Sequence, residues 1–242
     1  MARFDDLVFD IGLHKGEDTD FYLKKGYRVV AVEANPALAE FCRNRFREDI
    51  AAGRLRILEG AVAPHGCAGK IRFFVNDKVS VWGTIDQAWV ARNAARGCQS
   101  TPIEVDQLDM AEIFREFGLP YFLKIDIEGA DGLVLDALQH FEQRPQFISI
   151  EANTVDIPAL LQDLDTLDRL GYRRFQLAAQ HMIKAARVAT KTIGGETVPH
   201  EFEEGASGVF GDELTGAWTD REAIAAAFSA SFHEWQDIHA SL

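Results

Sequence analysis

The sequence is short of cysteine, of long apolar runs and of positive charge, and each shortage closes off a class of function. Cysteine occurs three times, at Cys42, Cys67 and Cys98. The number is odd and no Cys-x-x-Cys pair is present, so neither a disulfide framework nor a cysteine zinc site is expected, and a reducing, cytoplasmic setting is the default. No apolar stretch approaches the ~18 residues of a membrane span, and Met1 to Asp6 is charged, so neither a membrane anchor nor an export signal is expected. Lysine and arginine number 25 against 38 acids, a formal charge of −13. Nucleic-acid binders display basic stripes that displace phosphate counterions. The expected partner is therefore a small molecule or carbohydrate, with no nucleic acid and no membrane.

What is present suffices for a sizeable core. With 47% hydrophobic and 26% charged residues in 242, the chain fits one large globular domain, or one domain with a modest appendage. Leu7-Val-Phe-Asp-Ile-Gly-Leu-His-Lys-Gly16 reads as a strand buried on both faces that runs into a turn made by Gly12 and Gly16, with a helix over Glu17 to Gly26. Tyr27 to Glu33 is a second apolar strand. Glu33 ends it at about the distance past Gly12 where nucleotide-binding folds place the acid that accepts the ribose diol. NAD and S-adenosylmethionine share that diol. The turn separates them: it lacks the middle glycine of Gly-x-Gly-x-x-Gly that admits a pyrophosphate, and Asp10 at the strand's end suits the ammonium and sulfonium cations of S-adenosylmethionine.

The same pattern recurs downstream. Asn35-Pro36 is a helix start, and the helix is expected to run to about Ala52 before Gly53. A third strand, Arg54 to Val62, contains Glu59-Gly60-Ala61, where small residues suit a flat ring such as adenine and equally suit tight packing. Pro64 to Asp106 looks less regular, with strands at Lys70 to Asn76 and Pro102 to Val105 and a loop-like Ser80 to Ile85 in which Trp82 is either pocket or core. Asp109 to Phe117 predicts a helix. Tyr121 to Gly129 is an apolar strand ending in Asp126 and Glu128, with a helix from about Ala130 to His140. Gln146 to Glu151 ends in a further acid, with Asn153 beyond it. An amphipathic helix over Asp156 to Leu170 and a strand over Tyr172 to Ala178 follow.

Strands separated by helices imply an α/β, doubly wound, mostly parallel sheet, in which ligands sit beyond the carboxyl ends of the strands. Asp10 and Gly12, Glu33, Glu59 and Gly60, Asp126 and Glu128, and Glu151 and Asn153 all fall at that edge. Gly194-Gly195 suggests a turn between two extended pieces, and Gly205 to Gly216 reads as a flap or a surface loop. Thr219-x-x-Glu222 reads as a capping box opening a last helix, with Ile224, Phe228, Phe232, Trp235 and Ile238 on one stripe that either docks on the domain or meets a second copy of the chain in a homodimer.

Asp10-x-Gly12-x-x-x-Gly16, Val-Glu33-Ala-Asn-Pro36 and, most specifically, Leu-Lys124-Ile-Asp126-Ile-Glu128-Gly129-Ala130 together resemble the FkbM-type methyltransferases over about Leu7 to Glu151. The resemblance implies S-adenosylmethionine as cofactor, O-methylation of hydroxyls, often on sugars or other secondary metabolites, and a seven-stranded sheet with an antiparallel last strand. His14 stands where many relatives carry Asn. On this reading residues 1–212 form the methyltransferase domain and 213–242 a C-terminal loop and helix packed on it. Asp10, Gly12, His14, Gly16, Thr19, Glu33, Gly60 and Ala61 are the candidate cofactor contacts; His14 either donates to the cofactor's carboxylate or faces solvent. Asp126, Glu128 and Glu151 are the candidate catalytic residues, the first two as base or as binder of the acceptor hydroxyl. These three would also suit a hard divalent cation, but no spacing demands one, and metal-independent transfer is the expectation. An NAD-dependent oxidoreductase and a non-catalytic methyltransferase-like binding module are the alternatives.

Overall fold

The structure is a computed structural model and describes residues 1–152, 156–180, 183–230 and 236–242. Strand β1 (Arg3–Ile11), helix α1 (Glu17–Lys24) and strand β2 (Arg28–Glu33) form the first parallel βαβ unit. In β1, Phe9 and Ile11 enter one core and Val8 the other, as a strand covered on both faces requires. Helix α2 (Pro36–Arg45) starts where Asn35 and Pro36 predict, the Asn35 carboxamide accepting the Ala37 N–H at 3.0 Å. It does not run on to Ala52. The backbone leaves helical geometry at Phe46, whose ring is buried against Gly16, and resumes as α3 (Arg47–Ala51).

The expected third strand also divides. Strand β3 (Leu55–Glu59) pairs parallel with β2, and Gly60, at φ +150°, turns the chain so that β4 (Ala61–Ala63) leaves the main sheet. Strand β4 joins a small second sheet with β5 (Lys70–Asn76) and β6 (Ser100–Asp109), in the order β4-β6-β5. Between β5 and β6 lies helix α4 (Gln87–Ala95), capped by the Asp86 carboxylate; it interrupts the stretch expected to be irregular, and the Asp86 cap, the alanine-rich run and Gly97 are its signals in the sequence. Helix α5 (Met110–Phe117), capped by Asp109, leads into β7 (Leu119–Ile125). Helix α6 (Asp131–Leu138), β8 (Phe147–Glu151), α7 (Ile157–Arg169) and β9 (Arg174–Ala179) follow as the periodicity predicts.

The C-terminal third departs further. Strands β10 (Arg187–Lys191) and β11 (Thr197–Glu201) form a separate antiparallel hairpin about Gly194-Gly195. The segment from Gly205 to Gly216 is no exposed loop in its first half: Ala206, Ser207 and Phe210 are buried, and the Phe210 ring stacks on Phe122 at 4.1 Å. Helix α8 (Arg221–Ala230) is capped by Asp220, which accepts the Ala223 N–H at 2.8 Å. Thr219 is not the cap, because its backbone is paired with Phe175. Ile238, assigned by spacing to the helical stripe, lies in β12 (Gln236–Ser241), inserted antiparallel between β8 and β9. The segment alternates with period two, Ile238 and Ala240 facing one core and Asp237, His239 and Ser241 the other face. Phe232, Trp235 and Asn153, and the side chain of Phe228, fall outside the described residues.

The main sheet therefore has seven strands in the order β3-β2-β1-β7-β8-β12-β9, all parallel except β12. Helices α5, α6, α7 and α8 cover one face, while α1, Phe46 and the Phe202–Phe210 segment cover the other. The strand order reverses between β1 and β7. The crevice at their carboxyl ends is the switch point at which such sheets bind ligands.

Candidate active site

Two tight turns meet at that crevice. Gly12 has φ +97°, and a β-carbon on it would stand 2.0 Å from the backbone oxygen of Asp126, so only glycine fits. The turn directs the His14 N–H onto Glu33, whose carboxylate accepts it at 2.8 Å and the Asn35 N–H at 2.7 Å. Burial pushes Glu33 up to about 7, against the pull of those two N–H donors. Each oxygen keeps a further lone pair for a hydroxyl. Gly60 and Ala61 line the cleft together with Val32, Leu38 and Phe73.

The segment just past β7 adds acids to the lining. Asp126 and Glu128 line the cleft, and one carboxylate oxygen from each of Asp126, Glu128 and Glu151 lies within 4.8 Å of the others. Glu128 adopts φ +50°, a left-handed conformation that costs a non-glycine residue about 1–3 kcal/mol. Thr84 Oγ1 donates to its backbone oxygen at 2.7 Å, and the next residue, Gly129, is pressed against the Trp89 indole. Glu128 is only 6% exposed, and burial, then the charge of Asp126, drives its carboxyl well above the usual range, with Arg92 opposing. Glu151 is raised likewise by burial, then by Glu128 and Asp126. Among the described residues three non-glycine residues have positive φ, and two of them, His14 and Glu128, line this one cleft.

Behind the acids lies a residue the sequence reading passed over. Lys124 is buried, with its Nζ 3.5 Å from Asp10, 3.6 Å from Asp18 and 3.6 Å from Asp126. Burial alone would lower its proton affinity, but Asp10, Asp126 and Asp18 outweigh it and hold the ammonium charged. The signal in the sequence is a lysine amid the apolar residues of β7; its partner follows only from the parallel register, which pairs it with Asp10. The same row continues across the sheet through Ser149, His239 and Gln176. Arg92, also unanticipated, lies between the rings of Trp82 and Trp89, 4.5 Å from each, and 4.0 Å from Glu128.

The candidate contacts sort into two groups. Gly12, His14, Glu33, Gly60, Ala61, Asp126 and Glu128 line the one cleft. Asp10, Gly16, Thr19 and Glu151 do not. Thr19 donates to Asp10 at 2.7 Å, beneath the turn. Gly16 opens α1 in left-handed geometry and faces Phe46. The His14 ring is held between Glu17 at 2.9 Å and Ser80 at 2.8 Å, so both nitrogens are engaged by the protein.

A seven-stranded sheet of this order, with its next-to-edge strand reversed and an acid at the end of its second strand, is the fold of the class I, Rossmann-like methyltransferases. Residues 10–174 match the methyltransferase FkbM domain, and the chain belongs to that family. Its methyl donor is S-adenosylmethionine. A probable ribosomal RNA small subunit methyltransferase A from Haloarcula marismortui is 45% identical over 53 residues, 22% of this chain and 19% of that protein; the match spans about a fifth of that relative's length. Similar solved structures include the FkbM methyltransferase from Methylobacillus flagellatus (18% identity, 84% of this chain and 44% of that chain, TM-score 0.39). The precorrin-6Y C5,15-methyltransferase from Geobacter metallireducens is similar at 16% identity (99% and 80% covered, TM-score 0.44), and an O-methyltransferase from Bacillus cereus in complex with SAH at 11% (98% and 74%, TM-score 0.43).

The residues present fit this cofactor. Glu33 offers acceptors to a diol, the small and apolar residues suit a flat ring, and Asp126 and Glu128 suit a cationic methyl donor. Among the described residues no helix is long and apolar enough to cross a membrane.

Proposed function

We propose that the protein is an S-adenosylmethionine-dependent O-methyltransferase acting on a hydroxyl of a sugar, glycan or other small metabolite. The observation that supports this reading is that Glu33, ending β2, and Asp126 and Glu128, just past β7, line one cleft from either side of β1, which suits a ribose acceptor and proton acceptors. When bound, the cofactor supplies an electrophilic methyl group on a sulfonium. A hydroxyl must shed its proton as it is methylated, and a placed carboxylate contributes typically ~10²–10⁴ in rate. Burial raises the proton affinity of Glu128, which makes it a base once ionised, and Lys124 pairs with Asp126. Asp131 holds the acids in place by accepting the Ile127 and Glu151 N–H groups, each at 3.1 Å.

The net charge of −13 favours a neutral acceptor over a polyanion. The family match and the missing middle glycine of the turn leave the NAD-dependent reading without support. Incubating the protein with isotopically labelled donor and a panel of hydroxylated sugars tests the proposal. Label is expected on an acceptor oxygen, with Asp126→Asn or Glu128→Gln lowering turnover at least about 100-fold. Label on nitrogen or carbon would overturn the oxygen assignment. Donor binding with no transfer to any hydroxyl would favour a non-catalytic binding module.

A further inference from the structure

We propose that Asp126, Glu128 and Glu151 form a binding site for one divalent metal cation of the hard, oxygen-seeking class to which Mg²⁺ and Mn²⁺ belong. Three carboxylates from two strand ends place an oxygen each within 4.8 Å of one another. Oxygens that share such a cation lie about 2.0–2.6 Å from it, and so about 3–5 Å apart. The donor set is all oxygen, which selects hard cations over zinc or copper.

The second observation is that two buried carboxylate oxygens of this cluster lack a hydrogen bond among the described residues. Glu128 is 6% exposed, yet among the described residues its Oε2 has no hydrogen-bond partner, and the buried Oε2 of Glu151 has none either. Among the described residues Arg92 is the cation paired with Glu128, at a long 4.0 Å. It is held there by Trp82 and Trp89 and donates to Asn93 at 3.0 Å. Lys124 touches only the Asp126 member and is shared with Asp10 and Asp18. Carboxylate oxygens left without a hydrogen bond that deep are costly to retain, and a divalent ion is the simplest group that satisfies all three carboxylates. The outer supports of a metal site are also in place. Asp131 accepts the backbone N–H of Glu151 and of Ile127, between Asp126 and Glu128, which fixes the donors before any ion arrives.

This inference deepens the methyl-transfer reading and takes its purpose from it: a cation at this point would hold the acceptor's oxygen and stabilise its charge as the proton leaves. It replaces the expectation of metal-independent transfer. The binding itself does not depend on that reading, so the two are tested separately. Calorimetric titration of the full, chelator-stripped protein with Mn²⁺ should show one saturable equivalent. The affinity should fall about tenfold or more in Glu151→Gln and in Glu128→Gln. Thermal melts of both variants control for folding, and if Glu128→Gln unfolds, Glu151→Gln carries the test. No saturable Mn²⁺ binding, or equal affinity in wild type and a folded variant, would overturn the site and mean that the acids only share protons. Titrating the same samples with S-adenosylhomocysteine separates the two claims. Mn²⁺ binding without that ligand's binding supports the metal site and sinks the methyltransferase reading; the reverse sinks the metal site alone.

Discussion

The backbone oxygen of Asp126 stands 2.0 Å from the point a β-carbon on Gly12 would occupy. The first turn and the acidic end of β7 are thus packed on each other, and the Asp126 N–H donates to Ile11 at 2.9 Å. Gly12→Ala would add a clash with backbone to the strain of φ +97°. The expected destabilisation is at least about 3 kcal/mol by denaturant unfolding. Unchanged stability would mean that the two turns are not in contact.

Lys124 is the second point of dependence. Replacing it with methionine leaves Asp10, Asp18 and Asp126 without their shared cation, and removing one partner of a buried ionic cluster costs about 3–5 kcal/mol. The sign of the pH effect follows. Asp18, raised to about 7 chiefly by burial, takes up a proton as pH falls, so the deficit of Lys124→Met should shrink between about pH 8 and pH 6. A deficit that does not change with pH would show that the loss is one of packing alone.

On the proposed ribose contact, Glu33 is expected to make donor binding pH-dependent. Its carboxyl, raised to about 7 by burial, must be ionised to accept both hydroxyls of a diol. Protonation below that value therefore competes with binding, and affinity rises with pH until the carboxylate is formed. S-adenosylhomocysteine should bind about tenfold more weakly near pH 6 than near pH 8, with a plateau above. A flat profile in calorimetry would remove Glu33 from the ribose contact.

Much of this was legible in the sequence, and the parts that were not share a cause. The opening turn, Glu33, the Asn35-Pro36 cap and the acids after β7 are local signals: a strand's apolar run, a glycine, a polar end. What Lys124 touches depends on the register between β1 and β7, which no local pattern contains. Strand β12 was hidden because Ile224 and Ile238 are separated by a near-integral number of helical turns. The slot between β8 and β9 decides its conformation. Thr19 and Gly16 sit in the right motif but face inward, toward Asp10 and Phe46, a difference of direction that spacing cannot show. The Gly60 break arises because β4 is captured by β6, a partner over forty residues away.

The central claim is that Glu33 and the Gly12 turn hold S-adenosylmethionine in the cleft they share. Calorimetric titration of wild type and Glu33→Ala with S-adenosylhomocysteine, and of wild type with NAD, tests it most directly. The account predicts one equivalent of S-adenosylhomocysteine bound to wild type and no binding of NAD. It also predicts an affinity loss of about 10- to 100-fold in Glu33→Ala, as expected for charged hydrogen bonds to a diol. Tight binding of NAD, or equal affinity of S-adenosylhomocysteine for wild type and Glu33→Ala, would contradict it.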